Sequence, residues 1–224
     1  VLAATRGDGG FHLTGYCPWV TGGRQAKLLV VGATLEDGRQ ILTAVESETA
    51  GVEPARHADL VALTASQTGR VEFHNAWVPD AHVLAGPVEQ VMKQGVGGRT
   101  GGLQTSVLAA GLAATASSYL ADEASRRSNL VVVADELSQQ GATLRADLLA
   151  AAEGRLECSN EVLRIRANSL ALRTTQAALT AAKGAGFSAR HPVGRWCREA
   201  LFFLVWSCPE PVLQANLCEL AQIG

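Results

Sequence analysis

Few residues of this chain could do chemistry, and their spacing narrows what that chemistry could be. Residues 93–102, KQGVGGRTGG, hold five glycines in ten positions, the density of a loop that wraps a phosphate. Such a loop follows a strand and closes on Lys-Ser or Lys-Thr; neither feature is present, so the run reads as a flexible linker. The five histidines, His12, His57, His74, His82 and His191, show no metal-ligand spacing and read as solvated or structural side chains. No metal site is expected. A Ser-His-Asp triad would need its nucleophile on a strained turn, and no Gly-x-Ser-x-Gly elbow supplies one. The five cysteines, Cys17, Cys158, Cys197, Cys208 and Cys218, form no Cys-x-x-Cys pair. Their odd number suits a reducing compartment better than a disulfide framework. Cys197 and Cys208 are either buried free thiols or partners in one disulfide.

The chain has 224 residues, 47% hydrophobic and 18% charged, enough for one globular domain or two small ones. Lys plus Arg is 19 and Asp plus Glu is 21, so no long-range field favours nucleic acid or an anionic membrane. No apolar run approaches the roughly 20 residues of a membrane span. No signal peptide opens the chain, and the expected location is the cytoplasm. The chain starts at Val1 without Met, and its first residues already read as structure. This suggests trimming or a longer parent.

The first part reads as strands. Phe11, Leu13, Cys17 and Trp19 fall on one parity of FHLTGYCPWV, as a half-buried strand would place them. The runs AKLLVVGATL and RQILTAV flank Asp37-Gly38, a strong hairpin signal because both turn residues tolerate positive φ. RVEFHNAWV, with Val71 and Phe73 on one face, forms a further strand closed by Pro79. Beyond the glycine run the composition turns to Ala and Leu. Leu108, Leu112, Ala116 and Tyr119 recur at helical spacing, as do Leu130, Val133, Leu137, Leu144 and Leu148. Leu156, Leu163 and Leu170 lie seven apart, the interval of a packed bundle helix. A last pair of helices fits 192–206 and 211–222, broken by Pro209 and Pro211. The expected fold is α+β: a small antiparallel β-barrel over 1–87, a linker over 88–102 and an all-α up-and-down helical bundle of four or five helices over 103–224.

Three stretches carry a resemblance. GFHLTGYCPWVTGG at Gly10–Gly23, LTASQTGRVEFHNAWVPDAHVLAGP at Leu63–Pro87 and KGAGFSARHPVGRWCREA at Lys183–Ala200 bracket nearly the whole chain. In that order and at that spacing they resemble the middle β domain and C-terminal helical domain of acyl-CoA dehydrogenases. The family's helical N-terminal domain has no counterpart in the chain. The resemblance implies a FAD between β domain and bundle, a carboxylate base in a dry pocket, and an acyl-CoA thioester oxidised between its α and β carbons. It also implies an electron-transferring flavoprotein as electron acceptor and homo-oligomers paired through the bundle.

Position by position, Trp19 matches the Trp packed on the flavin ring, and Thr21 the Thr that reaches the ring's reactive edge. Without the resemblance, Trp19 reads as a barrel-core or rim aromatic and Thr21 as an ordinary strand residue. Ser66 and Thr68 fit the family's Ser-x-Thr, commonly a structural hydrogen bond. Gly184 and Gly186 match a glycine turn that approaches the neighbouring subunit's dinucleotide, or they cap a helix. Lys183 stands where that turn's first glycine would be. Arg198-Glu199-Ala200 matches the family's Arg-Asp-Ala, which places Trp206, Ser207 and Cys208 at its aromatic-Glu-Gly. Ser207 therefore replaces the catalytic Glu, and a hydroxyl is no base near neutral pH. The alternative position for the base, on the first bundle helix, falls near Gly101. Glu199 reads as a structural acid, which leaves Glu210, between two prolines, as a weak catalytic candidate. Phe202, Phe203, Leu204 and Trp206 form core or a subunit interface. Two functions follow: an acyl-CoA dehydrogenase-like flavoprotein of doubtful activity, or a catalytically inactive homologue that serves as a binding or assembly module.

Overall fold

The computed structural model describes residues 1–94, 102–155, 158–206 and 208–223. Gly101, Leu156 and Ser207 lie outside them. The chain divides into two compact units, Val1–Arg99 and Thr100–Gly224, the first built of strands and the second of helices.

In the first unit, β1 (Leu2–Gly7), β2 (Gly10–Val20), β3 (Leu28–Thr34), β4 (Gln40–Glu46), β5 (Val52–His57), β6 (Gly69–Pro79) and β7 (Val83–Val88) form one sheet in the order β5-β6-β2-β1-β3-β4-β7. The sheet is open, with β5 and β7 at its edges. One pairing is parallel, β1 with β3 at Ala3↔Thr34; the others are antiparallel. Alternation produces the core: Leu29, Val31 and Ala33 of β3 and Ile41 and Val45 of β4 are buried beside Phe11, Leu13, Val71, Phe73 and Val78. The β3–β4 hairpin turns at Leu35–Arg39, as the Asp37-Gly38 pair predicts, with Gly38 at φ +85°. The Asp37 carboxylate accepts hydrogen bonds from Arg39 N (3.0 Å) and Nε (2.8 Å), which holds it below the usual carboxylate range.

The parity read along β2 holds for Phe11 and Leu13, loosens at Cys17, which is half-buried, and fails at Trp19, which is 60% exposed. Two irregularities interrupt the β2–β6 pairing, between Leu13 and Gly15 and between Cys17 and Val20. The first places its extra residue on β6 and leaves the parity of β2 intact through Cys17; the second places it on β2 and passes the inward position from Trp19 to Val20.

Among the described residues the second unit holds α1 (Leu103–Ala124), α2 (Val131–Ala152), α3 (Asn160–Gly186), α4 (Pro192–Ala200), the single turn α5 (Phe202–Val205) and α6 (Glu210–Ala221). α1 packs on α2 and α3, and α3 packs on α4 and α6. Leu137, Leu144, Leu148, Leu163 and Leu170 are buried as the spacing predicts, but Leu108 and Val133 are exposed. Alanine carries the contact instead, through Ala109, Ala113, Ala116, Ala167 and Ala171. In a helix apolar on several faces, leucines alone do not mark the buried one. The helix expected over 192–206 is interrupted at Leu201. The last helix begins at Glu210, close to the expected 211, with Pro209 before it and Pro211 in its first turn, where a missing N–H is harmless.

Lys183 sits inside α3 at φ 55°, ψ −148°, a kink in the helix. That conformation adjoins the region left almost entirely to glycine, and a side chain there costs about 1–3 kcal/mol. Lys183→Gly is expected to raise unfolding free energy by about 1 kcal/mol, after its added unfolded-state entropy is set against the relieved strain. Urea denaturation of the two proteins measures it, and an unchanged or lower midpoint contradicts the strain.

Candidate functional site

The end of β2 gathers Trp19, Thr21, Ser66 and Thr68. Gly22, at φ +62°, turns the chain as β2 ends, a conformation cheap only for glycine. Its N–H donates to the Ser66 carbonyl at 3.0 Å, and its own carbonyl accepts from Gln25 N and Ala26 N. This ties the segment after β2 to a 3-10 turn, Thr64–Ser66, flanked by Leu63 (φ 58°) and Gln67 (φ 47°). Two non-glycine residues in left-handed conformation mark stored strain. The reward is a line of hydroxyls: Thr21 Oγ1 lies 3.1 Å from Thr68 Oγ1, and Thr68 Oγ1 lies 2.8 Å from Ser66 Oγ. Thr21 is exposed, while Ser66 and Thr68 are half-buried. Trp19 is thus not core, and the Ser-x-Thr pair makes the structural hydrogen bond its resemblance implies.

The helical unit holds a second cluster, around the break between α5 and α6. Arg164, on α3, is 1% exposed. Its Nε donates to Asn168 Oδ1 at 2.8 Å and its Nη2 to the Trp206 carbonyl at 2.9 Å, while Asn168 Nδ2 donates to the Phe203 carbonyl at 2.9 Å. These donors satisfy terminal carbonyls that no further turn of α5 would. Among the described residues no carboxylate pairs with Arg164 and its Nη1 has no partner; burial lowers its pKa, with the nearby Cys208 opposing. The guanidinium stays charged regardless. Arg164 and Asn168 were not legible as a site, because both lie on the broad buried face of an otherwise ordinary helix.

The expected site residues of this unit are placed as follows. Gly186 is buried, and a Cβ there would meet Ala182 Cβ at 2.7 Å; Gly184 is exposed with open space around it. Neither has positive φ, which falls on Lys183 instead, so neither caps the helix in the left-handed manner. Glu199 pairs with Arg195 at 3.4 Å, as a structural acid would. Glu210 is exposed in the first turn of α6, where a carboxylate meets the helix dipole favourably. That setting is not a dry pocket. Phe203 is buried, Phe202 and Leu204 are half-buried, and Trp206 is exposed and stacked on Phe202 at 5.3 Å. All five cysteines are free, which sets aside the Cys197–Cys208 disulfide. Cys197 Sγ donates to the Thr175 carbonyl at 3.1 Å, and Asn216 Nδ2 lies 3.8 Å from Cys208 Sγ. Among the described residues no group of three or more His, Cys, Asp or Glu could hold a metal, and no helix is long and apolar enough to cross a membrane.

No family model matches the chain. A benzylmalonyl-CoA dehydrogenase of Aromatoleum aromaticum is 31% identical over 83 residues, 37% of this chain and 22% of that protein. A mitochondrial 2-methylacyl-CoA dehydrogenase of Solanum tuberosum is 35% identical over 85 residues, 36% of this chain and 21% of that protein. The matches thus span about a fifth of the relatives' length. The fold likeness extends further. An acyl-CoA dehydrogenase from Geobacillus kaustophilus has TM-score 0.81 at 17% identity, over 98% of this chain and 63% of that one. Butyryl-CoA dehydrogenase from Megasphaera elsdenii has TM-score 0.80 at 20% identity, over 99% of this chain and 63% of that one. The chain resembles the acyl-CoA dehydrogenases in sequence over about a third of its length and shares their fold over nearly all of it.

Two predictions follow from the geometry. Arg164→Ala leaves the Trp206 carbonyl and Asn168 Oδ1 without their donor, and is expected to cost about 2–4 kcal/mol of unfolding free energy in urea; a loss below about 1 kcal/mol would contradict the cap. Burial raises the Cys17, Cys197 and Cys208 thiols above their ordinary pKa, with Arg164 and Glu210 acting oppositely on Cys208. A raised pKa means less thiolate at pH 8, so iodoacetamide should alkylate these three sites more slowly than free cysteine, as followed by peptide mass spectrometry.

Proposed function

We propose that this chain is an acyl-CoA dehydrogenase-like flavoprotein that holds FAD through the end of β2 and lacks the family's catalytic carboxylate. The observation that supports this reading is the hydroxyl line Thr21–Thr68–Ser66, which begins two residues after an exposed Trp19. A flavin ring needs an apolar plane to lie on and a polar group at its reactive edge. Trp19, released from the core by the slip in β2 between Cys17 and Val20, offers the plane, and Thr21 offers a hydroxyl already bonded to Thr68. These residues fit the group. Bound FAD would supply hydride acceptance; the protein's part is to bind, orient and shield it.

The remaining roles follow the same reading. Gly184 and Gly186 would bring the turn after α3 close to a second copy's dinucleotide, within a homo-oligomer formed through the helical unit. The exposed Trp206, at the end of α5, suits such a contact. The substrate class is an acyl-CoA thioester, and an electron-transferring flavoprotein would take the electrons.

Proton abstraction is where the reading departs from the family. Ser207 and Gly101 stand at the two positions for the base, Glu199 is engaged by Arg195, and Glu210 is exposed. Loss of a general base costs on the order of 10²–10⁴-fold in rate, so dehydrogenation by this chain is expected to be slow.

The test is a visible absorption spectrum of the purified protein before and after FAD is added and the sample desalted. A retained flavin band is expected, and Trp19→Ala should abolish it. A colourless protein that takes up no FAD would overturn the flavin reading and leave the binding or assembly module in its place.

A further inference from the structure

Resting on the flavin reading above, we propose that Thr68 and Ser66 are positioning residues: with Thr21 they form a reversible hydrogen-bond chain that lets Thr21 either donate to or accept from the ring edge. Each hydroxyl carries one proton and can accept two hydrogen bonds. The links Thr21–Thr68 (3.1 Å) and Thr68–Ser66 (2.8 Å) use two of the three protons, and in both links either oxygen can be the donor. In a head-to-tail chain the third proton emerges at one end. If Ser66 donates to Thr68 and Thr68 to Thr21, the Thr21 proton points outward, ready for an acceptor. If the chain runs the other way, Thr21 presents a lone pair outward and Ser66 releases the spare proton at the far end.

The two directions match the two states of a flavin ring. Its oxidised ring nitrogen only accepts, and its reduced ring nitrogen carries a proton and donates. No heavy atom of the chain moves between them; three hydroxyl hydrogens rotate. A solitary Thr21 could rotate as well, but it would have no fixed partner once covered by the ring. When it accepts from the ring its own proton would need Thr68 as acceptor, and an unpaired covered donor is the costlier defect. The backbone holds the arrangement firmly, since Gly22 N–H donates to the Ser66 carbonyl at 3.0 Å and the Thr64–Ser66 turn is clamped between two left-handed residues. Hydroxyls do not titrate near neutral pH, so the reversal needs no ionisation.

Thr68→Val keeps the side chain's shape and removes the middle hydroxyl. The FAD-loaded protein and its variants are compared by the reduction potential of the bound flavin, read from the spectrum during equilibration with a reference dye. Thr68→Val is expected to weaken binding of reduced FAD relative to oxidised FAD, on the order of threefold to tenfold, which lowers the potential. Thr68→Ser, which restores the oxygen, should return the wild-type value. If Thr68→Val fails to fold or to hold FAD, Ser66→Ala removes the far end and should shift the potential in the same direction by less. An unchanged potential in the variants that hold FAD overturns the chain and leaves the flavin reading standing. Wild-type protein that retains no FAD overturns both.

Discussion

Everything at the candidate flavin contact depends on how β2 pairs with β6. A strictly regular pair would keep the alternation that starts at Phe11 and Leu13 and would bury Trp19 with them. The slip between Cys17 and Val20 puts an extra residue on β2, so the aromatic ring that parity assigns to the core is 60% exposed. An exposed tryptophan on a strand end gives up burial worth about 2–3 kcal/mol. That loss is tolerable because the rest of the core is closed by Phe11, Phe73 and Val78 at 1% exposure or less. The same ending hands the chain to Gly22, which brings Thr21 within hydrogen-bond reach of Thr68. Ring platform and hydroxyl line are thus two results of one irregular ladder.

The helical unit solves a different problem. α5 is one turn long and α6 begins only at Glu210, so the carbonyls of Phe203 and Trp206 have no helix to continue into. Arg164 and Asn168 satisfy them from α3, at the cost of burying a guanidinium with Nη1 unpaired among the described residues. Buried charge is expensive, and removing one partner of such a network costs more than the network contributes. The backbone leading into Ser207 is therefore anchored from inside the core.

The two-part α+β fold was legible because each part obeys a simple period. The apolar runs AKLLVVGATL and RQILTAV mark β3 and β4, and Asp37-Gly38 between them marks their turn. Leu137, Leu144, Leu163 and Leu170 mark the inner faces of α2 and α3. The sheet's open order and its parallel β1–β3 pair were not legible, since they depend on partners distant in sequence. Leu108 misled because alanines, not leucines, make the closest helix contacts. At the candidate site, Trp19, Thr21, Ser66 and Thr68 could be named singly through resemblance, but that Thr21, Thr68 and Ser66 touch could not, because 47 residues separate Thr21 from Thr68. Arg164 left no signal at all: a charged residue beside leucines in a helix is ordinarily solvated, and only packing buries it.

On the proposed reading, a flavin contact and a missing carboxylate are compatible because they rest on different physics. Holding the ring needs surface and hydrogen bonds, which the end of β2 supplies without any ionisable group. Abstracting a proton needs a basic atom of the right pKa within reach. A hydroxyl fails on pKa by several powers of ten. The thiol of Cys208, next in sequence, is raised by burial and by Glu210 despite the opposing pull of Arg164, so it is mostly protonated near neutral pH and is no substitute base. A base deficit of 10²–10⁴ in rate corresponds to about 3–5 kcal/mol of barrier. No hydrogen bond at the flavin edge, worth about 1 kcal/mol, can offset that. On that reading the end of β2 is better suited to holding a flavin than any described side chain is to abstracting a proton.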